Sequence, residues 1–182
     1  MKIATNFGVY VKERNVCKMT DHEDSPLKEL YFAWSQLNTV CWQGALPPCA
    51  LVTSNRMRRA LGSAAPGIPH VITLNIPVLA QGDDFLFLGV LAHEMVHTWQ
   101  FAQGRGGGHG ADFRREMLRI GIDERSMQIR GNSPFHYCME QRLLFRRSAL
   151  PALRRIAGGP FSKKADMSFF SHFHKQLFGR KA

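Results

Sequence analysis

One stretch constrains the fold more than any other. Between Asp83 and Gly104, the residues Phe85, Leu86, Leu88, Val90, Leu91, Met95 and Val96 put apolar side chains nearly all round a helical wheel. A helix of that kind is buried, and the rest of the chain has to wrap it. The expected helix starts at a cap on Asp83 or Asp84, runs to about Ala102 and stops at the glycine-rich run 104–108. Yet this apolar segment carries His93-Glu94-Met95-Val96-His97, an HExxH motif. Four residues on a helix turn through roughly 400°, so the two imidazoles stand about 40° apart and one turn along. Both can reach one ion. Neutral imidazole suits Zn²⁺, which takes four tetrahedral ligands. Glu94 sits about 100° round from His93, beside such an ion, where it is the candidate general base toward water. Packing alone is a poor reason for these residues, because burying an unpaired carboxylate costs several kcal/mol, on the order of 2–7 even for a neutral polar group.

A third protein ligand is needed. The metzincin pattern asks for glycine three residues after the second histidine and histidine six after it, and Gln100 and Gln103 occupy those places. His109 follows His97 by twelve residues, across glycines that let the chain reverse cheaply, and Gly110 lets backbone come close. Glu116 and Glu140 are the rival ligands; either would give a two-histidine, one-carboxylate site.

Around this segment the chain reads as α+β, with helices dominating. Ser25-Pro26 opens a helix to about Trp42, with Leu27, Leu30, Tyr31, Trp34, Leu37 and Cys41 as its buried stripe. Gly44 to Pro48 ends it. Phe7 to Val11 and Ala50 to Thr53 are short strand candidates, and Val71 to Ile76 is a better one. Pro69 and Pro77 bracket the last, which argues for a sheet edge. Ala60 to Gly67 reads as a small-residue loop. A shorter helix spans about Ala111 to Ile120, and 134–157 looks helical with a break at Pro151. Cys17, Cys41, Cys49 and Cys138 include no CxxC pair, which excludes a zinc ribbon and favours buried free thiols. No apolar leader precedes residue 20 and no run reads as a membrane span, so a cytoplasmic protein is expected, with a nucleoid-associated or nuclear place also open.

His93-Glu94-Met95-Val96-His97-Thr98-Trp99-Gln100, followed by His109-Gly110-Ala111-Asp112-Phe113, resembles the SprT-like family of zinc metallopeptidases, which includes the DNA–protein crosslink protease Spartan. That family shows HExxH, a variable loop containing glycine, then HGxxF. The helix leading to Gly44-Ala45-Leu46-Pro47 and the strand Ile72-Thr73-Leu74-Asn75 extend the likeness over about residues 25–120. The resemblance implies His93, His97 and His109 as ligands of one Zn²⁺ and Glu94 as catalytic base. It implies a small gluzincin-like fold with a central HExxH helix and a small β-sheet, and a protein substrate, often one attached to DNA. Two departures stand out: the loop before His109 is short, and no cysteine follows Cys138 to build the zinc ribbon that many members carry.

The charge distribution offers another route to DNA. The net charge is +10; residues 1–140 hold 14 basic and 13 acidic side chains, whereas 141–182 hold 10 basic and one acidic. We therefore divide the chain into a metallopeptidase-like domain, 1–140, and a basic helical extension, 141–182, packed on the same domain. Arg142, Arg146, Arg147, Arg154 and Arg155 recur at helical spacings, and Lys163, Lys164, Lys175, Arg180 and Lys181 alternate with Phe161, Phe169, Phe170, Phe173 and Phe178. Cations of this kind pair with phosphates and rings can stack on unpaired bases, unless the phenylalanines are simply core. His172 and His174 read as solvent-facing. His136 and Tyr137 are candidate donors to an oxyanion, and Trp99 is a candidate pocket wall. The expected function is a zinc-dependent metallopeptidase acting on proteins, including DNA-bound or DNA-crosslinked ones. The rivals are a non-catalytic, DNA-associated zinc-binding module and a toxin-like protease.

Overall fold

The computed structural model describes residues 26–57, 60–76, 84–123 and 128–140. Its elements run in the order α1 (Pro26–Trp42), β1 (Cys49–Ser54), β2 (Gly62–Ala65), β3 (His70–Asn75), α2 (Asp84–Ala102), α3 (Ala111–Ile120), β4 (Ile122–Asp123), β5 (Gln128–Ile129) and α4 (Pro134–Glu140). Among the described residues these four helices and two small sheets make an α+β architecture. The 77–83 segment, with the expected cap at Asp83, lies outside the described residues, as do the strand expected at 7–11, Cys17 and everything from 141 on.

Helix α1 buries Leu30, Ala33, Trp34, Leu37, Cys41 and Trp42. It ends where Gln43 and Gly44 adopt left-handed backbone angles, φ 56° and 77°. Asn38 locks the turn that follows: its Oδ1 accepts from Leu46 N at 3.1 Å and its Nδ2 donates to Leu46 O at 3.2 Å. This buried amide leaves the chain direction into β1 fixed.

The main sheet has the order β1-β3-β2, with β1 parallel and β2 antiparallel to β3. Two expectations are corrected here. Strand β3 is central rather than an edge. Both prolines fall outside His70–Asn75, so every residue of the strand keeps its N–H and can be bonded on both sides. The supposed loop from Ala60 to Gly67 contains β2, Gly-Ser-Ala-Ala. Strand propensity says little about these residues; their smallness lets the strand lie against α2. Asn75 ties the approach to β2 down, donating from Nδ2 to Met57 O and Ala60 O at 2.8 and 3.0 Å, while its backbone N–H donates to Leu61 O.

Helix α2 is buried as its composition requires: Phe87, Leu88, Val90, Leu91, Ala92, Met95 and Val96 are all core. Helix α3 buries one stripe, Phe113, Glu116, Met117 and Ile120, and is stopped by Gly121 in the left-handed conformation at φ 105°. Its acid Glu116 accepts from Trp42 Nε1 at 2.7 Å and from Arg119, and Arg119 also reaches Cys41 O, so α3 is pinned to the end of α1. Helix α4 packs on α1. Cys41, Cys49 and Cys138 are buried free thiols, as expected. No helix among the described residues is long and apolar enough to cross a membrane.

Candidate metal centre

His93 and His97 project from successive turns of α2, and His109 meets them from the loop before α3. The His109 Nε2 lies 2.9 Å from the His93 Nε2 and 3.1 Å from the His97 Nε2. One ring nitrogen from each residue lies within 4.8 Å of the others, a grouping able to hold a metal ion. Phe113, four residues after His109 on α3, packs its ring against all three imidazoles at centroid distances of 4.6–4.8 Å. It seals the cluster from one side. His93 and His97 are buried, and His109 is the exposed member.

Burial sets the protonation. Desolvation, together with neighbouring His97 and His109, holds His93 well below the ordinary imidazole range. Desolvation takes His97 down to about 4 against the opposing hydrogen bond that its ring donates to Gln100 Oε1, and it also lowers His109. All three rings are therefore neutral near pH 7, the form that carries a lone pair for a metal. Three such lone pairs facing one point repel one another unless a cation or a proton lies between them. The buried His93 Nδ1 also has no partner among the described residues. This donor set fits a borderline metal such as zinc.

Glu94 is 4% exposed. Desolvation pushes its carboxyl up to about 8, and a cation among the imidazoles would draw it down again. Strand β2 passes directly beside it: a Cβ placed on Gly62 would fall 2.8 Å from Glu94 Oε1 and 2.9 Å from its Cγ. Only glycine lets the strand pass this close. Gly62→Ala is expected to displace the Glu94 carboxylate by several tenths of an ångström while leaving the three imidazoles together, which a structure of the variant checks.

The expected ligands His93, His97 and His109 are thus brought together. Glu116 and Glu140 are not in the cluster: Glu116 is bound by Trp42 and Arg119, and Glu140 lies 3.7 Å from His136 Nδ1. Tyr137 is exposed on α4, the helix that packs on α1. Trp99 is half-buried, with the Arg105 guanidinium 5.4 Å above its ring; Arg105 also pairs with Asp112 at 2.8 Å. Arg146, Arg147, Arg154, Arg155, Lys163 and Lys164 lie outside the described residues. Sequence reading missed Gly62, Gln100 and Phe113 as parts of the site. Gln100 and Phe113 had a signal, since each stands one turn from a histidine, but Gly62 comes near only through the sheet.

The SprT-like family model matches residues 30–132, more than half of the chain. The chain belongs to the SprT-like family. No curated protein and no solved structure matches it. The SprT-like match begins inside α1 and runs past β5, so it takes in all three histidines, Glu94 and β2. This SprT-like chain accordingly has a metallopeptidase-like domain with a histidine cluster able to bind metal.

Proposed function

We propose that the chain is a gluzincin-like, zinc-dependent endopeptidase acting on protein substrates, with His93, His97 and His109 holding one Zn²⁺ and Glu94 as the base. The observation that carries this is the convergence of three neutral imidazoles, with the residue next to His93 a buried carboxylate that lies close against an edge strand. Bound zinc supplies Lewis acidity toward a carbonyl and toward water. The protein's own part is to hold the ion on one side, with His109 exposed toward solvent, and to place Glu94 where it takes a proton from the attacking water and returns it to the leaving amine. An extended peptide can pair with β2, whose outer edge has no strand partner among the described residues. A purely structural zinc site closes with four protein ligands. Three candidate ligands among the described residues, one of them exposed, weigh toward catalysis over the non-catalytic module. Elemental analysis should find about one zinc per chain, and peptide hydrolysis should vanish with a chelator and return with zinc.

We further propose that the substrates include DNA-bound or DNA-crosslinked proteins, with the basic segment 141–182 as the DNA contact. Its support is the charge count and the family. Binding of the full chain to an oligonucleotide is expected to weaken steeply with salt, with a log–log slope of about −0.7 per phosphate contacted on single strands. Truncation after Gly159 should flatten that slope and remove any stimulation of proteolysis by DNA. Equal slopes in a salt series of the two proteins would show that residues 160–182 are not the DNA-binding element.

A further inference from the structure

The three imidazoles are not equally supported. His93 Nδ1 has no partner among the described residues, whereas His97 Nδ1 lies 2.9 Å from Gln100 Oε1. Gln100 is itself buried, at 3% exposure. Its other amide atom, Nε2, lies 2.9 Å from the carbonyl oxygen of Gly108, the residue before His109. The backbone of Gln100 joins in: its carbonyl oxygen accepts from Arg105 N at 2.8 Å and from Gln103 N at 3.1 Å. One residue therefore grips both ends of the turn that carries the chain from α2 to His109.

The chemistry of these partners fixes the protons. The Gly108 carbonyl can only accept, so it must face the Gln100 NH₂ group. The Gln100 oxygen then faces His97 and can only accept, so His97 donates from Nδ1. A neutral imidazole with its proton on Nδ1 has its lone pair on Nε2, the nitrogen that lies 3.1 Å from the His109 Nε2 within the three-histidine cluster. A side chain that only accepts or only donates cannot serve both contacts.

We infer that Gln100 is the positioning residue of this centre, its amide holding His97 in the Nδ1–H tautomer while drawing the Gly108–His109 backbone onto the same site. The inference rests on reading the cluster as a metal site. It adds to that reading a residue outside both motifs that would set how tightly the ion is held.

The test is zinc affinity, measured by competition with a chelator, for the full chain and for Gln100→Met and Gln100→Glu. The methionine keeps the volume and loses both hydrogen bonds, and it is expected to weaken zinc binding by about 10–100-fold. The glutamate keeps an acceptor for His97 and loses the donor to Gly108, so it is expected to recover part of that loss. Wild-type affinity in Gln100→Met overturns the inference. Equal losses in the two variants overturn its claim on His97, because a residue that merely fastened the loop would gain nothing from the carboxylate. Imidazole ¹⁵N shifts of the wild-type protein need no variant: a His97 proton on Nε2 in the metal-free chain overturns the assignment. A wild-type chain that takes up no zinc while showing the expected tautomer would sink the metal reading instead.

Discussion

Glu94→Gln is expected to leave a folded chain with its full zinc content that hydrolyses peptide about 10²–10⁴-fold more slowly, the usual worth of a positioned general base. The substitution keeps shape and volume, which matters in a site where a Cβ placed on Gly62 of β2 would fall 2.8 Å from the carboxylate. It should also separate a base from a ligand, since a ligand's loss would lower metal content. Stability moves the other way. Burial raises the Glu94 carboxyl from the ordinary 4.5 to about 8, so the metal-free folded state prefers the protonated acid. Between those two values Glu94 binds more proton in the folded chain than in the unfolded one, and its own contribution to stability falls as the pH rises. Glutamine is neutral throughout. The metal-free variant should therefore melt above the metal-free wild type, by a gap that opens above pH 4.5 and is complete above pH 8. The His93 and His97 contributions cancel in that comparison. Undiminished hydrolysis by the zinc-loaded variant would remove Glu94 from the mechanism.

His109→Ala and Glu116→Ala should fail in opposite ways. Removing His109 takes away the lone pair that sits 2.9–3.1 Å from both other imidazoles. Zinc affinity should drop by more than the roughly 10–100-fold that an outer partner is worth. The fold should change little, because His109 is exposed. Removing Glu116 strips Trp42 Nε1 of its acceptor and leaves Arg119 without its acid. That should cost about 2–3 kcal/mol of stability while zinc affinity holds, since Arg119 is half-exposed and water covers part of its loss. Chelator competition and thermal unfolding on both variants read the two effects separately. The reverse pattern would make Glu116 the third ligand.

Which parts of this molecule were legible beforehand follows from how each is encoded. The HExxH geometry is a property of any helix, so His93, Glu94 and His97 were placed by spacing alone once the apolar run made the helix secure. Helix α1 kept its expected bounds because Pro26 and the left-handed pair Gln43-Gly44 mark its ends locally. His109 could be proposed but not separated from Glu116 by sequence. What separates them is the long-range bond from Trp42, 74 residues away, which occupies Glu116. Strand β2 was unreadable for a related reason. Gly-Ser-Ala-Ala has no strand signature, and its identity is dictated by the helix it lies against. The prolines flanking β3 misled because proline beside a strand reads as a mark of an edge, whereas only proline inside the strand removes a ladder N–H donor.

The turn between His97 and His109 has a further consequence for how this site can vary. Its base is clasped by Gln100 at Gln103, Arg105 and Gly108, while Gly106 has open space where a side chain would go. Extra residues at that tip would leave the clasped base, and hence the three nitrogens, where they are. The chain entropy of a longer excursion grows only logarithmically, about 0.6 kcal/mol for each doubling of length. The tip is thus a permissive slot on the solvent side of the centre. There residues can be added or exchanged, and the approach to the histidine cluster reshaped, without disturbing the core that holds it.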